Sequence, residues 1–212
     1  MAMIKSALEL ALEKTKDLKV DPEALAANEL RMEGKKAAGL YLDDPASSDL
    51  AKKLAACPKE RRIHLKTGMV EVLQAQLQLP TNEASLEKLD RLAKGYAALS
   101  EGSGLLGGPL GGAMTEKKIA ATFQQLEAFL KQYIGDMKQV EQAIRKQWAP
   151  KLKEKERQMA ARMGPDFRLD PMSDPEFAAF YKQNVGAVRQ QYQDALDKAK
   201  VDLAAMLGVE TK

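Results

Sequence analysis

Apolar side chains recur at spacings of three and four residues through much of the chain, which is the period of an α-helix that buries one face. The clearest series lies in the second half, where apolar residues occupy a and d positions over about three and a half heptads: Ile119, Phe123, Leu126, Leu130, Tyr133, Met137, Val140 and Ile144. A second series begins at Phe177 and ends near Met206. Two long amphipathic helices in succession predict an antiparallel helical hairpin.

Helix boundaries in the first half follow from capping signals. Asp-Pro pairs begin at Asp21, Asp44, Asp170 and Asp174, and an aspartate before a proline suits a helix start because its side chain accepts a hydrogen bond from a free amide. The resulting prediction is a set of helices near residues 3–18, 22–43, 47–57, 59–79 and 82–99. The stretch GMVEVLQAQLQL also alternates as a strand would, but a single strand has no partner here, so we interpret it as helix.

The hydrophobic content of 45% is rich in alanine and leucine, which favours an all-α fold. Most aromatic residues follow a glycine-rich joint, so the two halves differ in what fills their cores. We predict an N-terminal cluster of four or five helices in residues 1–100, a flexible linker in 101–116 and a helical hairpin in 117–212. If the first hairpin helix continues past Pro150 to about Met163, it overhangs its partner by roughly 20 Å.

The glycine-rich stretch GSGLLGGPLGGAM invites comparison with a phosphate-binding loop. Such a loop needs a lysine directly after its last glycine and a strand before it, whereas Gly112 is followed by Ala113 and the preceding residues have a helical pattern. We therefore interpret it as a linker. Its three leucines, Leu105, Leu106 and Leu110, form either a small apolar tether or a segment that docks into a groove.

Net charge and cysteine content limit the possible partners and compartments. The net charge of +3 is small and the opposite charges are interspersed, so it does not imply a polyanionic partner by itself. The single cysteine, Cys57, cannot form an internal disulfide, which favours a reducing compartment. No apolar run approaches the roughly 20 residues that span a bilayer, and the first residues lack a signal-peptide core. We expect a soluble, cytoplasmic protein.

Few residues suggest catalysis or metal binding. His64 is the only histidine, and neighbouring Arg61, Arg62 and Lys66 make it a poor proton acceptor, so a Cys57–His64 pair is not favoured. Aspartates crowd residues 166–176, but they lack the spacing of a calcium loop and two of them precede proline as helix caps do. We expect no catalytic, cofactor-binding or metal-binding residues and no enzymatic activity.

Two segments are strongly basic, residues 52–66 and 145–162, and Trp148 lies in the second. A positive helix with an aromatic side chain is able to bind nucleic acid or an anionic surface, although helices commonly carry solvated basic faces. No helix-turn-helix signature is present. The candidate basic surface comprises Arg61, Arg62, Lys66, Arg145, Lys146, Lys151, Lys153, Lys155 and Arg157.

The hairpin pattern and the lack of a polar constellation favour a non-enzymatic helical interaction or scaffold protein. Its partner is expected to be another protein or a second copy, and the candidate contact residues are Phe123, Leu130, Met137 and Ile144, unless the chain's own core buries them. The alternative is a binder of nucleic acid or of an anionic surface that uses the two basic segments.

Residues 4–15, IKSALELALEKT, and residues 21–44, DPEALAANELRMEGKKAAGLYLDD, resemble the start of an uncharacterised family of bacterial proteins. The resemblance covers about the first fifth of the chain and contains no chemical motif. It implies a bacterial source and no particular activity or site.

Overall fold

A computed structural model describes residues 21–100 and 109–210, without the side chains of residues 109–111. The chain forms α1 (Pro22–Asp43), α2 (Leu50–Ala56), α3 (Arg62–Ala75), α4 (Lys88–Ala98), α5 (Pro109–Met163) and α6 (Pro175–Met206). Short 3-10 turns lie at Lys59–Arg61, Glu83–Leu86 and Pro171–Ser173. The described ranges contain no strand, so the all-α prediction is confirmed. The predicted helix over residues 3–18 lies outside the described residues.

Capping signals located several helix ends well. Asp21 accepts a hydrogen bond from the amide of Glu23 at the start of α1, and Asp49 accepts one from Lys52 at the start of α2. The helix predicted over residues 59–79 is shorter, because a 3-10 turn precedes it and it ends at Ala75. The stretch GMVEVLQAQLQL is helical through Ala75, which confirms the choice of helix over strand there.

Helices α1 and α3 cross at two glycines that face each other's backbone. A Cβ on Gly34 would overlap the carbonyl oxygen of Leu65, and a Cβ on Gly68 would overlap that of Arg31. The two backbones therefore touch, and only glycine fits at either position. Ion pairs of Glu71 with Arg31 and Lys35 lie beside this crossing.

Helices α5 and α6 form the antiparallel hairpin, and α5 continues through Pro150 to Met163. The helix begins earlier than the predicted hairpin boundary at residue 117. Residues 109–116, assigned to a flexible linker from their glycine content, belong to α5, which is consistent with the preference of proline for the first turn of a helix. Residues 101–108, including Leu105 and Leu106, lie outside the described residues. The division into separate N-terminal and hairpin domains stays a prediction.

The main hydrophobic core draws on both halves of the chain. Its buried side chains include Met69, Leu73 and Tyr96 from the first four helices, and Phe123 and Leu196 from the hairpin. We call α1–α4, with α5 to Leu130 and α6 from Leu196, the head. Residues 131–195 extend beyond this core as a two-helix stalk, whose α5 arm is about 50 Å long at 1.5 Å per residue.

Candidate interaction surface

Most of the predicted contact residues are buried by other parts of the same chain. Phe123, Leu130 and Ile144 are 5%, 2% and 4% exposed, and Met137 is half-buried. The first two belong to the core of the head, and Ile144 packs in a smaller cluster in the stalk with Trp148 and Phe177. A partner that touches the folded protein must therefore use other side chains, because the chain itself occupies most of this seam.

Polar contacts fix the register of the two stalk helices. The Tyr181 hydroxyl donates a hydrogen bond to Glu141 over 2.8 Å, and the Tyr192 hydroxyl donates one to Asp136. Burial and the Asp136 carboxylate raise the pKa of Tyr192 to about 12, so it stays neutral and keeps its proton for this bond. The stalk therefore has one preferred alignment of α5 against α6.

Lys155 and Asp174 join the two helices at the far end of the stalk. Lys155 Nζ lies 2.6 Å from Asp174 Oδ2 and 2.9 Å from Glu176 Oε2. The other oxygen of Asp174 accepts a hydrogen bond from the amide of Phe177 over 2.9 Å and so caps α6. Lys155 and the Phe177 amide hold the pKa of Asp174 below its ordinary value. The start of α6 is thereby attached to α5.

Beyond Lys155, α5 continues through Met163, so its overhang is about 12 Å. This is shorter than the predicted length of roughly 20 Å, because Trp148 and Lys155 still contact α6 and its cap. The connecting loop returns along this overhang and is held by the ion pair between Arg168 and Glu156, 3.8 Å apart. Three methionines point to solvent here: Met159, Met163 and Met172 are 39%, 65% and 51% exposed. We call these methionines, with half-buried Phe167 and Leu169, the tip patch.

Three of the nine large apolar side chains that are exposed in the described residues lie close together in sequence, around the hairpin turn. Met159 and Met163 are one helical turn apart, and Met172 is two residues before Asp174. Methionine side chains are flexible and polarisable, which suits them to contact surfaces of varied shape. The sequence contained this signal as three methionines around the hairpin turn, but burial was needed to separate them from core positions.

The residues of the candidate basic surface fall into two groups, those whose cations are buried or bonded within the chain and those that are exposed. Lys66 is buried and donates to the carbonyl oxygen of Leu207 over 3.4 Å, while Arg62 donates to the carbonyl oxygens of Cys57 and Ala55. Lys155 is held at the tip as described. The remaining members of the set are exposed: Arg61, Arg145, Lys146, Lys151, Lys153 and Arg157.

Apart from Arg61, the exposed members of this set lie on the stalk. Lys151 Nζ lies 4.7 Å from the centre of the Trp148 ring, and Arg157 pairs with Glu154. Lys146, Lys153 and Arg157 follow one another at seven and four residues, which places them on one outward face of α5. The basic segment 52–66 offers less cationic surface than its composition suggested.

The other residues considered for catalysis or metal binding are His64, Cys57 and the aspartates near the hairpin turn. His64 is exposed, and Cys57 is buried at the end of α2, where burial raises the pKa of its thiol. Asp170 and Asp174 cap the 3-10 turn and α6, which confirms the capping interpretation. Across residues 21–100 and 109–210, no group of three or more histidine, cysteine, aspartate or glutamate side chains is placed to hold a metal ion.

A groove of about 740 Å³ lies between α4 and α5. Leucine, alanine and phenylalanine line its floor, and its rim carries Glu83, Glu87, Asp90 and Glu127. Three of these four carboxylates pair with lysines: Glu83 with Lys138, Asp90 with Lys94 and Glu127 with Lys131. The residues that line this groove include no histidine, cysteine or serine.

The fold and its surface define an all-α protein with a helical head and a protruding hairpin stalk. Residues 51–205 match DUF6657, a family of unknown function, and the chain belongs to this family. The expectation of an uncharacterised family is confirmed, although the match includes none of the residues that carried the resemblance. No curated protein and no solved structure matches the chain. Among the described residues, no helix has the length and apolarity required to cross a membrane.

Proposed function

We propose that the protein is a non-enzymatic helical interaction protein that contacts a protein partner through the tip patch. The observation that carries this proposal is the exposure of Met159, Met163 and Met172 at the end of a stalk about 50 Å long. Exposed apolar patches on soluble domains commonly mark contact sites. The head supplies most of the folded core, and the stalk places the patch away from it.

The polar ties along the stalk support this function. A patch on a flexible loop would lose conformational entropy on binding. The tip is instead held by two sets of ion pairs, one between Lys155 and the carboxylates of Asp174 and Glu176 and the other between Arg168 and Glu156. This organisation lowers the entropy cost of binding. Partner contacts then depend on a few methionine side chains at the tip.

The test compares a tip variant with a matched control in the native organism. The tip variant carries Met159→Gln, Met163→Gln and Met172→Gln, and the control carries the same change at exposed apolar positions elsewhere, Ile63→Gln and Met114→Gln. Sizing of gently prepared extracts should show wild type and control in a complex larger than the monomer, and the tip variant as monomer. A tip variant that keeps its complex, or a wild type that is only monomeric, contradicts the proposal.

A second candidate function rests on Lys146, Lys153 and Arg157, which form a cationic row on the stalk. Such a row is able to follow a nucleic-acid backbone or an anionic surface, and its affinity would fall steeply with salt. Binding of a single-stranded RNA should weaken in Lys146→Gln/Lys153→Gln and stay unchanged in the control Lys117→Gln/Lys118→Gln. Equal affinities of the two variants would remove this candidate.

A further inference from the structure

Two stretches of the stalk contain basic residues but no acidic ones. No aspartate or glutamate occurs in residues 142–153 of α5 or in residues 177–193 of α6. The two stretches contain six cations, all of them exposed. We call them the cationic belt: Arg145, Lys146, Lys151, Lys153, Lys182 and Arg189. Over most of the chain opposite charges are interspersed, so the belt is a local excess of positive charge.

The belt cations are not engaged by carboxylates of the chain. None of the six forms an ion pair with a residue that the structure describes. Each of the four carboxylates that border the two stretches has a partner outside the belt: Glu141 with Tyr181, Glu154 with Arg157, Glu176 with Lys155 and Asp194 with Gln190. The belt is therefore open to an anion from outside.

Helix geometry divides much of the belt into two rows. Lys146 and Lys153 are seven residues apart on the outward face of α5, and Lys182 and Arg189 are seven residues apart on one side of α6. The axes of packed helices are about 8–10 Å apart, so the two rows run side by side at about that separation or more. The cationic surface is therefore wider than one helix.

We propose that the cationic belt binds the phosphate backbone of a nucleic-acid double helix without reading its sequence. A duplex carries one phosphate charge per about 1.7 Å of its axis, against about 3.4 Å for one strand, so it presents more charge to the belt. A single strand follows one row, whereas the two strands that border a major groove about 12 Å wide are able to contact both rows. The inference rests on the second candidate function, extends it to α6 and is independent of the tip patch.

The belt lacks the side chains that other anionic partners use. Proteins that bind single strands stack bases on exposed aromatic rings, whereas the aromatic side chains of these two stretches are buried or half-buried: Trp148, Phe177, Phe180, Tyr181 and Tyr192. Helices that lie on a membrane insert an apolar face, and none of the large apolar side chains exposed in the described ranges falls within either stretch. The surface therefore favours phosphates over unstacked bases or lipid.

Fluorescence anisotropy with the purified full chain tests the ligand class. The probes are a short DNA duplex, an RNA duplex of the same sequence and one strand of each, at low salt. At least one duplex should bind about tenfold or more tightly than its single strand, and a duplex of scrambled sequence should bind equally. Tighter binding of a single strand would overturn the proposal but keep the second candidate function, and no binding of any probe would remove both. Retention on vesicles of anionic lipid without duplex binding would overturn the proposal in favour of a membrane surface.

Charge removal on α6 tests the second row. Lys182→Gln/Arg189→Gln should weaken duplex binding about tenfold or more and lower the slope of log affinity against log salt by about 2, because each lost phosphate contact removes about 0.9. The matched control Lys182→Arg/Arg189→Lys keeps both charges and should bind as wild type does. Equal binding by the two variants would remove α6 from the site and overturn the proposal, even if the Lys146 and Lys153 row still binds RNA.

Discussion

Gln74 in α3 donates a hydrogen bond from Nε2 to the main-chain oxygen of Lys200 in α6, over 2.7 Å. This contact connects residues 126 positions apart in the sequence and joins the first half of the chain to the returning arm of the hairpin. Lys66 donates to Leu207 near the end of the same arm. The last part of α6 is therefore attached directly to α3 within the head.

Replacing Gln74 tests this attachment. Gln74→Ala should lower the free energy of unfolding by about 1 kcal/mol, the typical net value of one such hydrogen bond. Urea unfolding followed by circular dichroism measures the change. The control is Gln78→Ala, which removes only an exposed bond to the nearby Ala75. A loss no larger than that of the control would mean that the Gln74 contact adds nothing to the junction.

The glycine crossing of α1 and α3 predicts a large effect from a single methyl group. Gly34→Ala and Gly68→Ala should each destabilise the protein by about 3 kcal/mol or more, because the added Cβ meets backbone that cannot move without separating the helices. Gly186→Ala in α6 is the matched control, since its Cβ would meet open space. That control should gain stability, by up to about 1 kcal/mol, from helix propensity. Thermal melts of the three variants would refute the close crossing if all of them were stabilised.

The Asp174–Lys155 contact predicts how stalk stability depends on pH. The pKa of Asp174 is lower in the folded protein than in the unfolded chain, so its ionised form stabilises the fold at neutral pH. This contribution is fully present above the unfolded value of about 3.9 and is lost as pH falls through the lower folded value. Asp174→Asn keeps a capping side chain but removes the charge.

Melting curves of wild type and Asp174→Asn, followed by Trp148 fluorescence, measure this contribution. Wild type should melt at a higher temperature at pH 7, and the difference should shrink as the pH falls below about 4. A difference that stays constant down to pH 2 would show that the carboxylate charge plays no part in holding the tip.

The small aromatic cluster predicts that the stalk opens before the head. Trp148 packs edge-to-face on Phe177 at a ring-centre distance of 5.7 Å and lies 5.6 Å from the centre of Phe180. Trp148→Ala should lower the free energy of unfolding of the stalk by about 3 kcal/mol or more, because it removes the side chain on which these rings pack. Hydrogen exchange should rise in residues 140–152 and 177–185 while the amides of α3 keep their wild-type protection. Equal acceleration in α3 would show that head and stalk unfold as one unit.

Sequence patterns predicted the features that depend on neighbouring residues. Apolar spacing identified the hairpin and the buried seam from Ile119 to Ile144, and Asp-Pro pairs identified the caps at Asp21 and Asp174. These signals are local, because capping and amphipathic periodicity act within one or two turns of a helix.

The remaining features depend on contacts between distant parts of the chain. Gly34 and Gly68 have no apolar side chain to show that they meet, and nothing near Gln74 indicates Lys200 as its acceptor. Glycine content suggested a linker through residue 116, whereas α5 already begins at Pro109. The seam residues were correctly placed on one face, but sequence alone left open whether a partner or the chain's own helices cover them.

Site-specific photo-cross-linking in living cells tests the contact role of the tip patch most directly. A benzophenone amino acid replaces Met163 at the tip or, as a control, Gln183, which is also exposed on the stalk. We expect a discrete protein adduct from position 163 that is absent from position 183 and disappears with Met159→Gln and Met172→Gln. No adduct at position 163, or equal adducts at both positions, would contradict it.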